Sequence, residues 1–283
     1  MNKMTDSNLQ YNNLHIGVFD SGIGGLTVLA ELKKNLPNEE FYYLGDTARV
    51  PYGTRSPETV IRYARSCTNF LINKGIKLLI IACNTASSFA LDTIKKEINI
   101  PVIGVVEPGA TAVIKKTKNK RVGIIGTEGT ISSQSYEKVI KKIAPDIRIF
   151  AKACPLFVPL VEEGWTEGKI PSLIVSEYLT PIIKENIDTL LLACTHYPLL
   201  KKTIKNTFKE FSIQIVDSAE ETAVEVVNLL QSCNLMRKDI KICNENKIKY
   251  FVTDAPEKFK KIGNRFLKEN IEYVEWIDIP INV

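Results

Sequence analysis

Two cysteines carry the first chemical suggestion in this chain. Residues 75–85, Gly-Ile-Lys-Leu-Leu-Ile-Ile-Ala-Cys-Asn-Thr, align without a gap on residues 186–196, Asn-Ile-Asp-Thr-Leu-Leu-Leu-Ala-Cys-Thr-His, so that Cys83 and Cys194 coincide. Two thiols supplied from two related segments suit proton exchange at a carbon: one group removes a proton from one face while the other returns a proton to the opposite face. The roles reverse for the mirror-image substrate. A thiol can serve as base or acid because its ordinary pKa near roughly 8.5 is lowered readily at a helix start or beside a suitable partner. Each cysteine is expected to precede a helix, whose unpaired N–H groups favour an anion such as a carboxylate. Asn84, Thr85 and Thr195 would add side-chain donors there, although the same residue types also serve simply as helix caps. His196, one of only two histidines, lies two residues beyond Cys194 and suits a proton-handling partner. Asp20, at the end of an earlier apolar run, stands as a candidate partner of Cys83. His15, at the start of that run, reads as structural.

The elements that must position these groups are short apolar runs at 15–19, 41–44, 77–82, 101–106, 121–125 and 188–193, each followed by a helical pattern. Alternation of this kind predicts parallel sheets covered by helices, since parallel strands need a crossover. A second internal match supports two halves: residues 16–22, Ile-Gly-Val-Phe-Asp-Ser-Gly, resemble residues 122–128, Val-Gly-Ile-Ile-Gly-Thr-Glu. Ligands in open α/β sheets bind beyond the carboxyl ends of strands, so facing halves would put one cysteine on either side of a shared cleft.

Composition bounds the remaining choices. The 283 residues exceed one typical domain, and 45% hydrophobic with 24% charged residues is an ordinary globular balance. The formal charge of +5 is scattered rather than gathered into a stripe, which argues against nucleic-acid binding. Residues 1–14 are polar and lack a signal-like apolar core, and no run reaches the length of a membrane span. A cytoplasmic protein with reduced thiols is therefore expected. In that compartment the six cysteines are not read as disulfides, and the lack of a C-x-x-C pair speaks against a structural zinc site. Cys67, Cys154, Cys233 and Cys243 read as small buried hydrophobes.

The turn from Asp20 to Gly25 imitates a dinucleotide-binding loop, and Asp46 stands where a ribose-binding acid would. Against this, Thr27 occupies the expected place of the third glycine, and Asp20 would set a negative charge close to a pyrophosphate. Nothing singles out a lysine for pyridoxal phosphate, so no cofactor and no metal is expected. A carbanion-like transition state would then depend on positioned donors in an enclosed cleft.

Five ordered motifs carry a family resemblance that spans nearly the whole chain: Phe19 to Gly25 (FDSGIGG), Gly45 to Gly53 (GDTARVPYG), Ala82 to Ala86 (ACNTA), Phe157 to Glu162 (FVPLVE) and Ala193 to Pro198 (ACTHYP). By these the sequence resembles the bacterial glutamate racemases of the aspartate/glutamate racemase superfamily. The resemblance implies an α/β fold of two pseudo-symmetric domains, each a mostly parallel sheet flanked by helices, with the active site in the cleft between them. It implies Cys83 and Cys194 as alternating acid and base, Asp20 assisting the first, and Glu162 with His196 assisting the second. Adjacent Glu163 leaves it open which carboxylate points inward, although the motif favours Glu162. Substrate contacts carry over to Asp20, Ser21, Tyr52, Gly53, Asn84, Thr85, Thr195 and His196, and less strictly to Thr127 and Thr130. Glutamate as substrate, a homodimer and supply of D-glutamate for peptidoglycan are further implications.

The expected division is a tail at 1–14, a first domain of 15–109 with 223–283, and a second of 110–222. Pro108-Gly109 and residues 217–223 interrupt the pattern at the two crossings, and 247–283 reads as strand, helix and strand. The rival functions are an aspartate or hydantoin racemase of the same superfamily, a related one-thiol decarboxylase that two cysteines disfavour, and a noncatalytic protein whose thiols sense redox state or hold a metal.

Overall fold

In the computed structural model, which describes residues 11–238 and 247–280, strands and helices alternate along the chain. The first run is β1 (His15–Asp20), α1 (Leu26–Asn35), β2 (Phe41–Gly45), α2 (Pro57–Asn73), β3 (Ile76–Ile81), α3 (Asn84–Glu97) and β4 (Val102–Gly104). Helix α4 (Val106–Lys116) leads into β5 (Arg121–Gly126), α5 (Glu128–Ser132), α6 (Ser135–Ile143), β6 (Arg148–Ala153), α7 (Phe157–Glu162), α8 (Lys169–Ile183), β7 (Thr189–Ala193), α9 (Lys201–Thr207) and β8 (Gln214–Asp217). Helix α10 (Ser218–Ser232) then leads to β9 (Ile248–Val252), α11 (Pro256–Leu267) and β10 (Glu275–Trp276).

The strands form a six-stranded sheet, ordered β10-β9-β2-β1-β3-β4, and a four-stranded sheet, ordered β6-β5-β7-β8. Neighbouring strands are parallel in both. The internal repeat is thus one of topology: β2-β1-β3-β4 and β6-β5-β7-β8 have the same order, with the matched segments forming β1 and β5 and then β3 and β7. Every residue of β3 and β7 is buried, which is why both read as nearly unbroken apolar runs. Helix α2 shows how local sequence starts a covering helix, since Ser56 caps the Thr59 N–H and Pro57 takes the first helical position.

The polar residue within β3 is Lys77. Its ammonium lies 2.7 Å from the buried Glu39 carboxylate and donates to the carbonyls of Asn12 at 2.6 Å and Leu235 at 2.8 Å. This fastens the segment before β1 and the stretch after α10 to the amino-terminal end of the sheet. Asn12, expected within a polar tail, is accordingly buried. His15 stacks on Tyr42 at 3.9 Å and lies 3.3 Å from Glu40, at the same end.

Several local expectations are revised. The apolar run at 101–106 yields only β4, because Val105 and Val106 turn into α4. Strands β6 and β8 lie at sheet edges and carry charged or polar residues, so neither reads as an apolar run. Pro108 and Gly109 sit inside α4, and residues 218–223 open α10. The chain therefore passes between the sheets through helices rather than loops, α4 packing on α6, and α10 on α1 and α4. Cys67 and Cys154 are buried as expected, whereas Cys233 is exposed because it caps α10 at the surface; Cys243 lies outside the described residues. Among the described residues no helix is long and apolar enough to cross a membrane.

Candidate active site

The carboxyl ends of strands from both sheets converge on one cavity of about 350 Å³. The first half contributes Ser21, Tyr52, Gly53, Cys83, Asn84 and Thr85 to its wall, and the second contributes Thr127, Glu162, Cys194, Thr195 and His196. Asp20 and Thr130, both expected as substrate contacts, do not line it. Asp20 ends β1 beneath Ser21, fully buried, while Thr130 is buried behind Thr127 and Thr85.

Hydroxyls and backbone knit the halves together around the cavity. Thr85 Oγ1 lies 2.8 Å from Thr127 Oγ1, and the Thr27 hydroxyl donates to the Thr195 carbonyl at 3.0 Å. Gly24 makes close approach possible: a β-carbon there would collide with Thr195 Oγ1 and the His196 ring. On α11, the Arg265 guanidinium donates to the Glu162 carbonyl at 2.9 Å.

Cys83 is the N-cap of α3, its own carbonyl accepting from the Ser87 N–H at 2.8 Å. Cys194 departs from expectation, being followed by a 3₁₀ turn over Tyr197–Leu200 before α9. The thiols also do not show the lowered pKa expected of helix starts. Burial pushes Cys83 up to about 11, and the Asp20 charge adds to the rise, outweighing the hydroxyl of Ser21 and the Ala86 N–H. Burial likewise pushes Cys194 well up, although the N–H groups of His196 and Tyr197 oppose it. Near neutral pH both thiols are therefore protonated in this arrangement.

The ionisable neighbours differ on the two sides. Burial raises Asp20, against the charge of His196 and the N–H groups of Gly22, Gly25 and Ser21. Its Oδ2 accepts from the Gly22 N–H at 2.9 Å, while Oδ1 is buried without a partner among the described residues. Beside Cys194, His196 Nε2 lies 3.2 Å from Glu162 Oε1. The hydrogen bond from His196 holds the Glu162 carboxyl below its usual value despite burial. Of the two adjacent acids, Glu162 lines the cavity whereas Glu163 caps α7.

Asp46, weighed as a ribose-binding acid, is instead fully buried and satisfied. It accepts from the Tyr52 hydroxyl and from Thr253 Oγ1 at 2.9 Å, with Arg49 at 3.4 Å. Tyr52, which lines the cavity with Gly53, thus has its hydroxyl engaged by Asp46. Pro155, Val158 and Pro159 also line the cavity. Val158 and Pro159 belong to the Phe157–Glu162 motif and Pro155 lies outside it, but apolar walls carry no chemical signature by residue type. Among the described residues, no three His, Cys, Asp or Glu side chains cluster in a way that could hold a metal ion.

Two facing α/β halves, each bringing a buried thiol to one small cavity, have the form of an enzyme that exchanges protons at carbon. The family model for Asp/Glu/hydantoin racemase matches residues 16–226, and the chain belongs to that family. A glutamate racemase of Geobacter metallireducens is 52% identical over 252 residues, 89% of this chain and 92% of that protein. The crystal structure of a glutamate racemase isoform from Bacillus anthracis superposes with a TM-score of 0.89 at 39% identity, covering 96% of this chain and 100% of that one. That of Francisella tularensis glutamate racemase, in complex with D-glutamate, gives 0.87 at 37% identity, covering 94% and 98%.

Proposed function

We propose that this protein is a glutamate racemase, interconverting L- and D-glutamate by two-base proton exchange between Cys83, Cys194 and the substrate Cα. The observation that carries the reading is the pair of buried thiols, one from each half, at a single cavity. The substrate is that of a relative 52% identical in sequence, one family structure being bound to D-glutamate.

The cost of forming a thiolate in a buried site shapes the proposed mechanism. On the first side, Cys83 passes its proton to Asp20, whose raised affinity for a proton suits it to receive one. One negative charge then moves within the pair without a second being created. The Cys83 thiolate takes the Cα proton, and the electron pair left behind delocalises into the substrate carboxylate. Cys194 delivers its proton to the opposite face, and the thiolate so formed is stabilised by His196, oriented by Glu162. The reverse direction exchanges these roles. Asn84, Thr85 and Thr195 supply donors to the substrate, and Ser21, Tyr52-Gly53 and Thr127 complete its enclosure, with Thr130 holding Thr127 from behind. We extend the family reading to two domains, 15–109 with 223–283 and 110–222, to a homodimer, and to a cytoplasmic role supplying D-glutamate for peptidoglycan.

Deuterium entry at Cα in D₂O, with circular dichroism following each pure enantiomer, tests the reading. Exchange and racemisation of glutamate are expected, with Cys83→Ser and Cys194→Ser each losing about 10²–10⁴-fold, the usual weight of a general acid or base. Absence of exchange into glutamate would reject the function; preference for aspartate or a hydantoin would reassign the substrate. An unimpaired serine variant would reject that cysteine's role.

A further inference from the structure

We propose that Tyr136, a residue of the second half, is a positioning residue that holds the Asn84 amide with its NH₂ group toward the substrate. Asn84 opens α3, is 2% exposed and lines the cavity. Its two amide ends are treated differently. Oδ1 accepts a hydrogen bond of 2.6 Å from the Tyr136 hydroxyl, whereas Nδ2 is buried without a partner among the described residues. Buried donors are seldom left unmet, and this one belongs to a residue on the wall of the cavity. A carboxylate oxygen of the substrate is the acceptor that completes it. The inference therefore rests on the racemase reading and deepens it.

The phenol is itself held in place. Tyr136 is buried, and its hydroxyl also lies 3.3 Å from the carbonyl of Val105, the residue before α4. Ser218, first residue of α10, lies near enough to the phenol to oppose the rise in its pKa that burial imposes. The phenol thus lies beside both places where the chain passes between the sheets. Gly109 in α4 leaves the necessary space, because a β-carbon there would sit 3.2 Å from the Tyr136 ring and 3.3 Å from Ser218. An asparagine amide can present either its oxygen or its nitrogen after a half-turn. Without the phenol, Asn84 is free to turn its oxygen toward the substrate carboxylate, where the contact becomes repulsive.

The test is a double-mutant cycle in the full-length protein, read by KM and kcat for glutamate. Tyr136→Phe keeps the ring and is expected to raise KM roughly tenfold, the scale of one lost buried hydrogen bond, with a smaller change in kcat. Asn84→Ala should raise KM at least as much, and the double variant should be no worse than Asn84→Ala alone, since Tyr136 acts through Asn84. A Tyr136→Phe enzyme with unchanged KM, or a double variant whose loss is the product of the single losses, would overturn the inference. A crystal structure of the unmutated protein with glutamate provides an arm independent of variant folding. A ligand carboxylate oxygen within hydrogen-bond distance of the Asn84 amide identifies Nδ2 as the facing atom. A ligand donor at that place, or no ligand atom within reach, overturns the proposal. If the unmutated protein neither exchanges nor binds glutamate, the racemase reading itself has failed.

Discussion

At the scale of single residues, burial governs the chemistry more than sequence neighbourhood does. Cys83 and Cys194 were legible as a pair because the same Ala-Cys-polar ending recurs in two aligned segments. The direction of their pKa shifts was not, because desolvation depends on the burial that only the folded chain provides. Tyr136 was equally invisible: a lone tyrosine in an amphipathic helix gives no sign of reaching an asparagine 52 positions away. Glu162 permits a prediction with a definite sign. The bond from His196 holds its carboxyl below the ordinary 4.5, so the folded chain binds that proton more weakly than the unfolded chain. The stability it contributes is full above pH 4.5 and fades as pH falls through the lower folded value. Thermal melts of Glu162→Gln and the unmutated protein should therefore differ most near neutral pH and converge in acid. A gap independent of pH would contradict the assignment.

Among the elements, the strands that bury both faces announced themselves, while β6 and β8 did not. Strand β6 is exposed at Arg148 and Lys152, and β8 spans four residues from a surface glutamine. At the edge of a sheet the apolar run that marks a central strand is no longer required. Strand β3 contains the converse case, a buried cation that its apolar surroundings do not explain by themselves. Lys77 answers the Glu39 carboxylate and two carbonyls, so Lys77→Met should leave a buried charge uncompensated. Removal of one partner from such a pair costs about 3–5 kcal/mol, readable by urea denaturation. The turnover of the folded variant should be unaffected, since about six residues of extended strand, roughly 20 Å, separate Lys77 from Cys83. A stable variant, or a folded one with altered turnover, would show the pair to have another role.

For the molecule as a whole, catalysis depends on how closely two separate sheets approach, and Gly24 lies where they meet. Gly24→Ala would force Thr195 and His196 away. Overpacking of this kind costs about 1–3 kcal/mol, so the variant should fold with a lowered melting temperature and lose more than tenfold in kcat/KM. Undiminished activity would mean that the seam tolerates displacement. The two sides of that seam are unequally furnished, a lone carboxylate near one sulfur and an imidazole–carboxylate couple beside the other. Mirror-image amino acids nevertheless have identical free energies in water, so the equilibrium between them is fixed at unity whatever the protein supplies. The catalytic efficiencies of the two directions must then be equal, and any substitution on one bank of the cleft has to depress both in the same ratio. The built-in asymmetry can emerge only in how each direction divides its efficiency between saturation and turnover.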